Sequence, residues 1–374
     1  MEFGIFSQMH VPPDESEHDR FMRTVDVSMA VDAAGFKYDW SPEHHFLTHY
    51  SHQPCPEVYL PFVAARTKRL HVGTAIVNIT AAVNHPARVA EQIATLDHLS
   101  QGRIEFGTGR GSSSTEWGGF AIPTAAQTKP MWRESLEQIP RMWRDEPYEF
   151  EGTYFRMPRR NVLPKPYSKP HPPMWVACAS PQTFTEAGEL GIGSLCFTLG
   201  TPDEVAPHIR NYKAAIRRCE QPIGAFINDN IAVTTNMFCL PDGDEARYLL
   251  SRARTEKYTE LFFQWLDSIP RPAHMPPRGP VSIPAPTPAQ LQARLQSGTA
   301  LVGSPEEIVA VIRIWEQLGV DQLIFSPLTM AMDQKDVLRS IETFGRHVIP
   351  QFDTDPVHRT TRQREAALAK RSAA

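Results

Sequence analysis

The sequence predicts an α/β fold: a (β/α)₈ TIM barrel with insertions, filling residues 1–352 as one domain. Apolar, strand-like runs alternate with amphipathic helical patterns along most of the 374 residues. There are about eight such units, and repeated βα units force parallel pairing with right-handed crossovers. No G-x-G-x-x-G follows the first strand, which disfavours an open dinucleotide-binding sheet.

The first strand is Glu2–Phe6. The helix His18–Ala34 follows, with Phe21, Val25, Met29 and Val31 among its apolar positions and Gly35 as its stop. Phe36–Trp40 is a short strand and Val58–Thr67 a helix. Leu70–Val77 is β-branched and apolar, as a buried parallel strand should be. Ala87–Leu99 is helical, and the strand Arg103–Gly107 runs into a glycine cluster. Trp132–Trp143 is helical and Tyr148–Met157 a small hairpin turning at Gly152. Then come the strand Met174–Cys178, the helix Gln182–Leu190, the strand Ser194–Leu199, the helix Pro202–Arg218 and the strand Ile227–Cys239. One long helix is expected over Glu245–Trp265. Ser304–Leu318 (helix), Gln322–Phe325 (strand) and Lys335–His347 (helix) complete the pattern.

Two segments depart from it. Between Ile269 and Pro288 stand eight prolines, which exclude a central strand or a helix interior; a long excursion on the barrel face, a lid or an inert extension, is expected there. Residues 353–374 form a basic tail, in which Arg359, Arg362, Arg364, Lys370 and Arg371 face only Glu365 from position 359 onward, expected as a solvated, fraying helix.

Bulk properties narrow the function. A net charge of −4 gives no electrostatic reason to expect nucleic acid or an anionic membrane. No run approaches the roughly 18 apolar residues of a membrane span, and the N-terminus lacks signal-peptide regions, so a cytoplasmic protein is expected. The five cysteines include no C-x-x-C pair, which points to free thiols rather than disulfides or a zinc knuckle.

Chemistry in such a barrel sits where strands end. The second strand ends in Glu43-His44-His45-Phe46, with His49 and His52 close by. A metal site, a general acid–base histidine and a hydrogen-bonded loop all fit that cluster. Small residues from Gly73 through Thr74 and Ala75 to Asn78 let a flat ligand approach, or simply pack the barrel. Gly107-Thr108-Gly109-Arg110-Gly111 offers backbone N–H groups and a guanidinium to an anion, or is a turn with a surface arginine. After the fifth strand Ser180 sits at an N-cap position with Pro181 at the first helical position, which caps a helix and also makes an anion seat. Cys178 as a nucleophile lacks an identifiable base.

Together these motifs resemble the bacterial-luciferase-like monooxygenases. The resemblance rests on Glu43-His44-His45-Phe46; on His85-Pro86-Ala87-Arg88 with Glu91 and Leu96-Asp97-His98-Leu99-Ser100-Gln101-Gly102-Arg103; on Val302-Gly303-Ser304-Pro305-Glu306-Glu307; and on Gly319-Val320-Asp321. It spans about residues 1–352. It implies a TIM barrel, often dimeric, that takes reduced FMN from a separate NAD(P)H:flavin reductase. The flavin reacts with O₂ to a C4a-peroxyflavin that oxygenates a small apolar organic substrate. His44 matches the catalytic histidine. Thr74 and Ala75, with Asn78 beyond, match the segment beneath the isoalloxazine ring, where relatives have a non-proline cis peptide. Arg110 matches a phosphate- or substrate-side arginine, and Cys178, Ala179, Ser180 and Thr183 fall where the phosphate is held. The Pro-rich segment falls at the luciferase mobile loop. No metal is implied. An F420-dependent hydride-transfer enzyme and a non-catalytic flavin-binding subunit are the alternatives. Two departures stand out: Cys178 where luciferase has a glutamate, and the unlike loop Ser112–Trp117, where Trp117 could stack on a ligand or pack the insertion.

Overall fold

In the computed structural model eight parallel strands close on themselves. Residues 198–199, 270, 272–274, 277–278, 327–331 and 374, and the side chains of 255 and 373, lie outside the described residues. The elements in chain order are β1 (Glu2–Phe6), α1 (Glu17–Ala34), β2 (Tyr38–Ser41), α2 (Pro56–Ala64), β3 (His71–Thr74), β4 (Val77–Asn78), α3 (Pro86–Leu99), β5 (Ile104–Gly109), α4 (Ser114–Gly119) and α5 (Ala125–Arg144). Next come β6 (Tyr148–Glu151), β7 (Arg156–Arg160), β8 (Met174–Cys178), α6 (Pro181–Glu189), β9 (Gly193–Cys196), α7 (Pro202–Ile216), β10 (Ile231–Cys239), α8 (Gly243–Arg252) and α9 (Thr255–Trp265). The chain ends with α10 (Pro288–Gln296), β11 (Ala300–Gly303), α11 (Pro305–Gln317), β12 (Gln322–Ser326), α12 (Gln334–His347) and α13 (Arg359–Ala373). The barrel order is β1-β2-β3-β5-β8-β9-β10-β12, and β12 returns to β1 with Glu2 opposite Gln322. This is the TIM barrel the alternation predicts.

Inside the barrel Phe6, Tyr38, Trp40, Trp175, Leu195, Ala232 and Ile324 form one apolar cluster. Its two indoles meet edge to face at 5.2 Å. Glycine makes room for them: a Cβ on Gly73 would lie 2.3 Å from the Trp40 ring, and one on Gly193 2.3 Å from Trp175. A larger apolar cluster lies between the strands and the surrounding helices.

Four local expectations need correction. The run Leu70–Val77 is not one strand: the Ala75–Ile76 peptide is cis, β3 stops at Thr74, and β4 rejoins the sheet opposite Thr108 and Gly109. The run Glu245–Trp265 is two helices, because Arg254 is left-handed at φ 50°, a conformation a right-handed helix cannot continue. A strand the pattern does not show, β11, pairs outside the barrel with the end of β10. The C-terminal segment is a helix, as expected, but its first turns are docked rather than solvated. His358 stacks on His71 at 3.5 Å, the Arg359 N–H donates to Glu2 at 2.9 Å, and the Thr360 hydroxyl donates to Glu105 at 2.6 Å. Glu105 lies inside the barrel floor and also accepts from the Trp175 indole at 2.8 Å and from His71 Nδ1 at 2.8 Å. No helix among the described residues is long and apolar enough to cross a membrane.

Candidate active site

At the C-terminal mouth the loop after β2 is built by Glu43. Its carboxylate is buried and accepts from the Asn78 N–H at 2.8 Å, the Asn84 amide at 2.9 Å and His45 Nε2 at 2.9 Å. The Glu43-His44-His45 motif is thereby locked to the chain after β4, and its second histidine is taken up in that lock. The other two histidines pair with each other: the His49 N–H donates to His52 Nε2 at 3.1 Å, while His49 Nδ1 donates to the Val11 carbonyl at 2.9 Å and His52 Nδ1 meets Glu17 at 2.7 Å.

His44 has a different partner. Its Nδ1 lies 3.0 Å from Glu116 Oε1, which also accepts the His45 N–H at 3.1 Å. Burial alone would raise the Glu116 carboxyl, but His44 and these N–H donors outweigh it and hold it below the ordinary carboxylate value. An ionised carboxylate only accepts, so Nδ1 carries a proton and Nε2 is left to act on a ligand. Glu116 is on α4, which the serine- and glycine-rich sequence concealed. The only signal was the Ser113-to-Glu116 spacing of a helix start; the Ser113 hydroxyl does accept from the Thr115 N–H at 3.3 Å.

Behind His44 is a buried aromatic group. The Tyr50 ring is 5.4 Å from His44 and 5.7 Å from Tyr258, on which it stacks. His10 packs against both tyrosines. Burial pushes the His10 imidazole down to about 3, so it is neutral. Its Nδ1–H donates to the Tyr50 carbonyl, and its buried Nε2 has no hydrogen-bond partner among the described residues.

The wall beside this loop is flat and apolar. In the otherwise buried run His71–Thr80 only Ala75 and Ile76 are partly exposed, and they pack with Phe197 on the interior cluster. The Thr74 hydroxyl faces the wall: it donates to the Gly107 carbonyl at 2.7 Å and accepts the Gly107 N–H at 2.9 Å. A Cβ on Gly107 would lie 1.9 Å from the Thr74 carbonyl oxygen, so the two strands meet this closely only with glycine there. Asn78 is likewise a builder, its Oδ1 accepting from Thr80 N and Oγ1 at 3.1 and 2.8 Å. The buried Ser41 hydroxyl, in register with Thr74, has no partner among the described residues.

Arg110 stands at the end of β5 and donates to Thr128 Oγ1 at 2.7 Å. Burial lowers its pKa and Glu186 on α6 opposes the shift. An anion beside it would relieve the same desolvation. At the α6 N-terminus the Ser180 and Thr183 hydroxyls bond to each other at 2.9 Å, and Ala177 and Ala179 are exposed.

Cys178 is the residue the structure moves. Alternation along β8 turns it outward, 1% exposed, with its thiol against the Val176 and Thr183 carbonyls. Burial pushes the thiol up to about 12. It packs the wall and presents no side chain to the mouth; Ala177 and Ala179, of opposite parity, do. Alkylation of the native protein at about pH 8 should label exposed Cys55 and spare Cys178. Peptide mapping that shows both labelled at equal rates contradicts this placement.

A cavity of about 240 Å³ adjoins the wall, bounded by Phe6, Phe197, Tyr258 and Phe263. Described residues of the Pro-rich segment pack on this side. Pro270, Pro272 and Pro277 lie outside the described residues, while Ile269, Met275, Val281 and Ile283 pack against Leu47, Tyr50, Phe262, Phe263 and Leu266.

A closed parallel barrel with an oriented histidine and an apolar wall at its C-terminal mouth defines a barrel enzyme. The chain belongs to the luciferase-like monooxygenase family, whose model matches residues 1–322. It is similar to the oxygenase component of the flavin-dependent trigonelline monooxygenase of Acinetobacter baylyi, 23% identical over 96% of this chain and 98% of that one. The F420-dependent glucose-6-phosphate dehydrogenase of Kineococcus radiotolerans is 30% identical over 46% of this chain and 52% of its own. Among solved structures, the oxygenating constituent of 3,6-diketocamphane monooxygenase of Pseudomonas putida, in complex with FMN, superposes with a TM-score of 0.78. It is 21% identical and covers 95% of this chain and 99% of that one.

Proposed function

We propose that this chain is the oxygenase of a two-component system. It takes reduced FMN from a separate NAD(P)H:flavin reductase and transfers one atom of O₂ to a small organic substrate, the other leaving as water. The observation that carries this reading is His44 fixed by buried Glu116 at a strand end beside the Ala75–Ile76 wall.

The residues present fit the cofactor. Ala75, Ile76 and Phe197 offer a dry face to a flat ring, and the Ser41 hydroxyl, unpartnered among the described residues, lies beside it. Arg110, with the hydroxyls of Ser180 and Thr183 at the start of α6, suits a phosphate. Bound there, reduced FMN would supply the two electrons that activate O₂. His44 Nε2 holds or moves a proton at the reacting centre, and Glu116 keeps the ring in one tautomer. The aromatic packing of Tyr50, Tyr258 and His10 keeps water from the imidazole's far side. Residues 269–288 act as the lid over the cavity. The same reading places the protein in the cytoplasm with its reductase, as a homodimer; Val58 and Phe62 on α2, 68% and 40% exposed, are candidates for the joint face.

The test is anaerobic titration of the purified chain with reduced FMN and, separately, reduced F420. Saturable binding of reduced FMN in preference to F420 supports the proposal. Binding of F420 alone replaces it with hydride transfer, the reading the F420-dependent relative favours.

A further inference from the structure

The lining of the cavity at the mouth combines the aromatic rings of Phe6, Phe197, Tyr258 and Phe263 with polar residues that include Asn236, Arg294 and Ser326. Arg294 is the only charged residue among the described lining residues. It sits in the last turn of α10, a helix opened by a Thr287–Gln290 capping box and fixed through buried Leu291 and Leu295. The Arg294 carbonyl accepts the Thr299 N–H at 2.9 Å and the Ser297 hydroxyl at 3.1 Å. The arginine is therefore presented by packed structure rather than by a free loop. Its guanidinium makes no ion pair or hydrogen bond among the described residues.

Asn236 reaches the cavity for a topological reason. β10 pairs with β9 as far as Val233 and with β11 from Asn236 onward. The strand thus leaves the barrel circle at its upper end, and Asn236 is exposed although both ends of β10 are buried. The cavity beside this divergence is lined by an amide, hydroxyls and one guanidinium together with four aromatic rings. The space of about 240 Å³ is below the ~300–1,000 Å³ of drug-sized pockets, so it suits one or two fused rings. A guanidinium without a partner among the described residues, in a cavity with an aromatic lining, selects a ligand with an anionic end and a ring body, because a neutral isostere would leave it as unpaired as before.

We propose that the molecule bound in this cavity is a small cyclic carboxylate, its ring against Phe197 and Phe263 and its carboxylate on Arg294, with Asn236 and Ser326 beside it. Naming that molecule the substrate rests on the oxygenase reading; the binding itself does not.

The experiment uses naphthoate and naphthamide as probes, titrated by ligand fluorescence into the full chain with and without oxidised FMN. The wild type should bind naphthoate about ten-fold or more tightly than naphthamide, the range of a charge-assisted contact. Arg294→Gln should bring the two within about two-fold of each other by weakening naphthoate alone, and Arg294→Lys should keep part of the preference. Circular dichroism establishes that each variant is folded. Equal affinities in the wild type, no saturable naphthoate binding in either condition, or a preference surviving in Arg294→Gln overturns the proposal. Arg294-dependent naphthoate binding by a chain that ignores reduced FMN would remove the oxygenase reading and leave the carboxylate site. Flavin binding without naphthoate selectivity would do the reverse.

Discussion

His44→Ala will bind reduced FMN as the wild type does and lose coupled product formation by about 10²–10⁴-fold, the span of a lost general acid–base group. Oxygen consumption continues in the variant, with the reducing equivalents appearing as hydrogen peroxide. The argument is geometric. Glu116 accepts a hydrogen bond from Nδ1–H and leaves Nε2 for the ligand side, whereas the apolar wall is built by Ala75, Ile76 and Phe197. Binding and proton handling are therefore separable. Glu116→Gln keeps a hydrogen-bonding atom but removes the charge, so its loss should be smaller than that of His44→Ala. Unchanged coupling in His44→Ala would take the residue out of the mechanism.

Thr360→Val will destabilise the fold by about 1–3 kcal/mol near pH 8 and by less near pH 5, measured by urea unfolding at the two pH values. Its hydroxyl is one of three donors converging on the Glu105 carboxylate, with His71 and the Trp175 indole. Burial raises the Glu105 carboxyl to about 7, a shift the Thr360 and Trp175 hydrogen bonds oppose. A raised folded pKa contributes stability that is complete below the unfolded value and lost as pH rises through about 7. Thr360 limits that loss by bonding the charged form, so removing it costs more on the alkaline side. An equal effect at both pH values would show that the hydroxyl does not serve the carboxylate.

Both predictions draw on features of very different legibility. The eight barrel strands could be read because each is a short apolar run followed by a helical period, and closure followed from their number. The floor could not. Glu105 and His71 are polar residues inside otherwise apolar strands, and what satisfies them is Thr360 and His358, more than two hundred residues away with no local pattern to connect them. Parity was the second barrier. A one-residue uncertainty in strand register exchanges the faces of a strand, so Cys178 was given the inward place that Ala177 and Ala179 hold. Arg254 turns left-handed without the glycine that usually announces it. At the site, His44 and Ala75 stood out as motif residues at strand ends. Glu116 was hidden in a six-residue helix whose composition suggests a flexible loop. The cavity's polar lining was equally hidden, since it depends on β10 leaving the barrel to meet β11.

The most direct measurement is rapid mixing of the anaerobic complex of this protein and reduced FMN with oxygenated buffer while the flavin spectrum is recorded. The account predicts a transient species, distinct from reduced and oxidised flavin, that forms with oxygen concentration and outlasts the rapid oxidation of free FMN. Direct conversion to oxidised FMN at the rate of the free cofactor, with or without a cyclic carboxylate present, would contradict it.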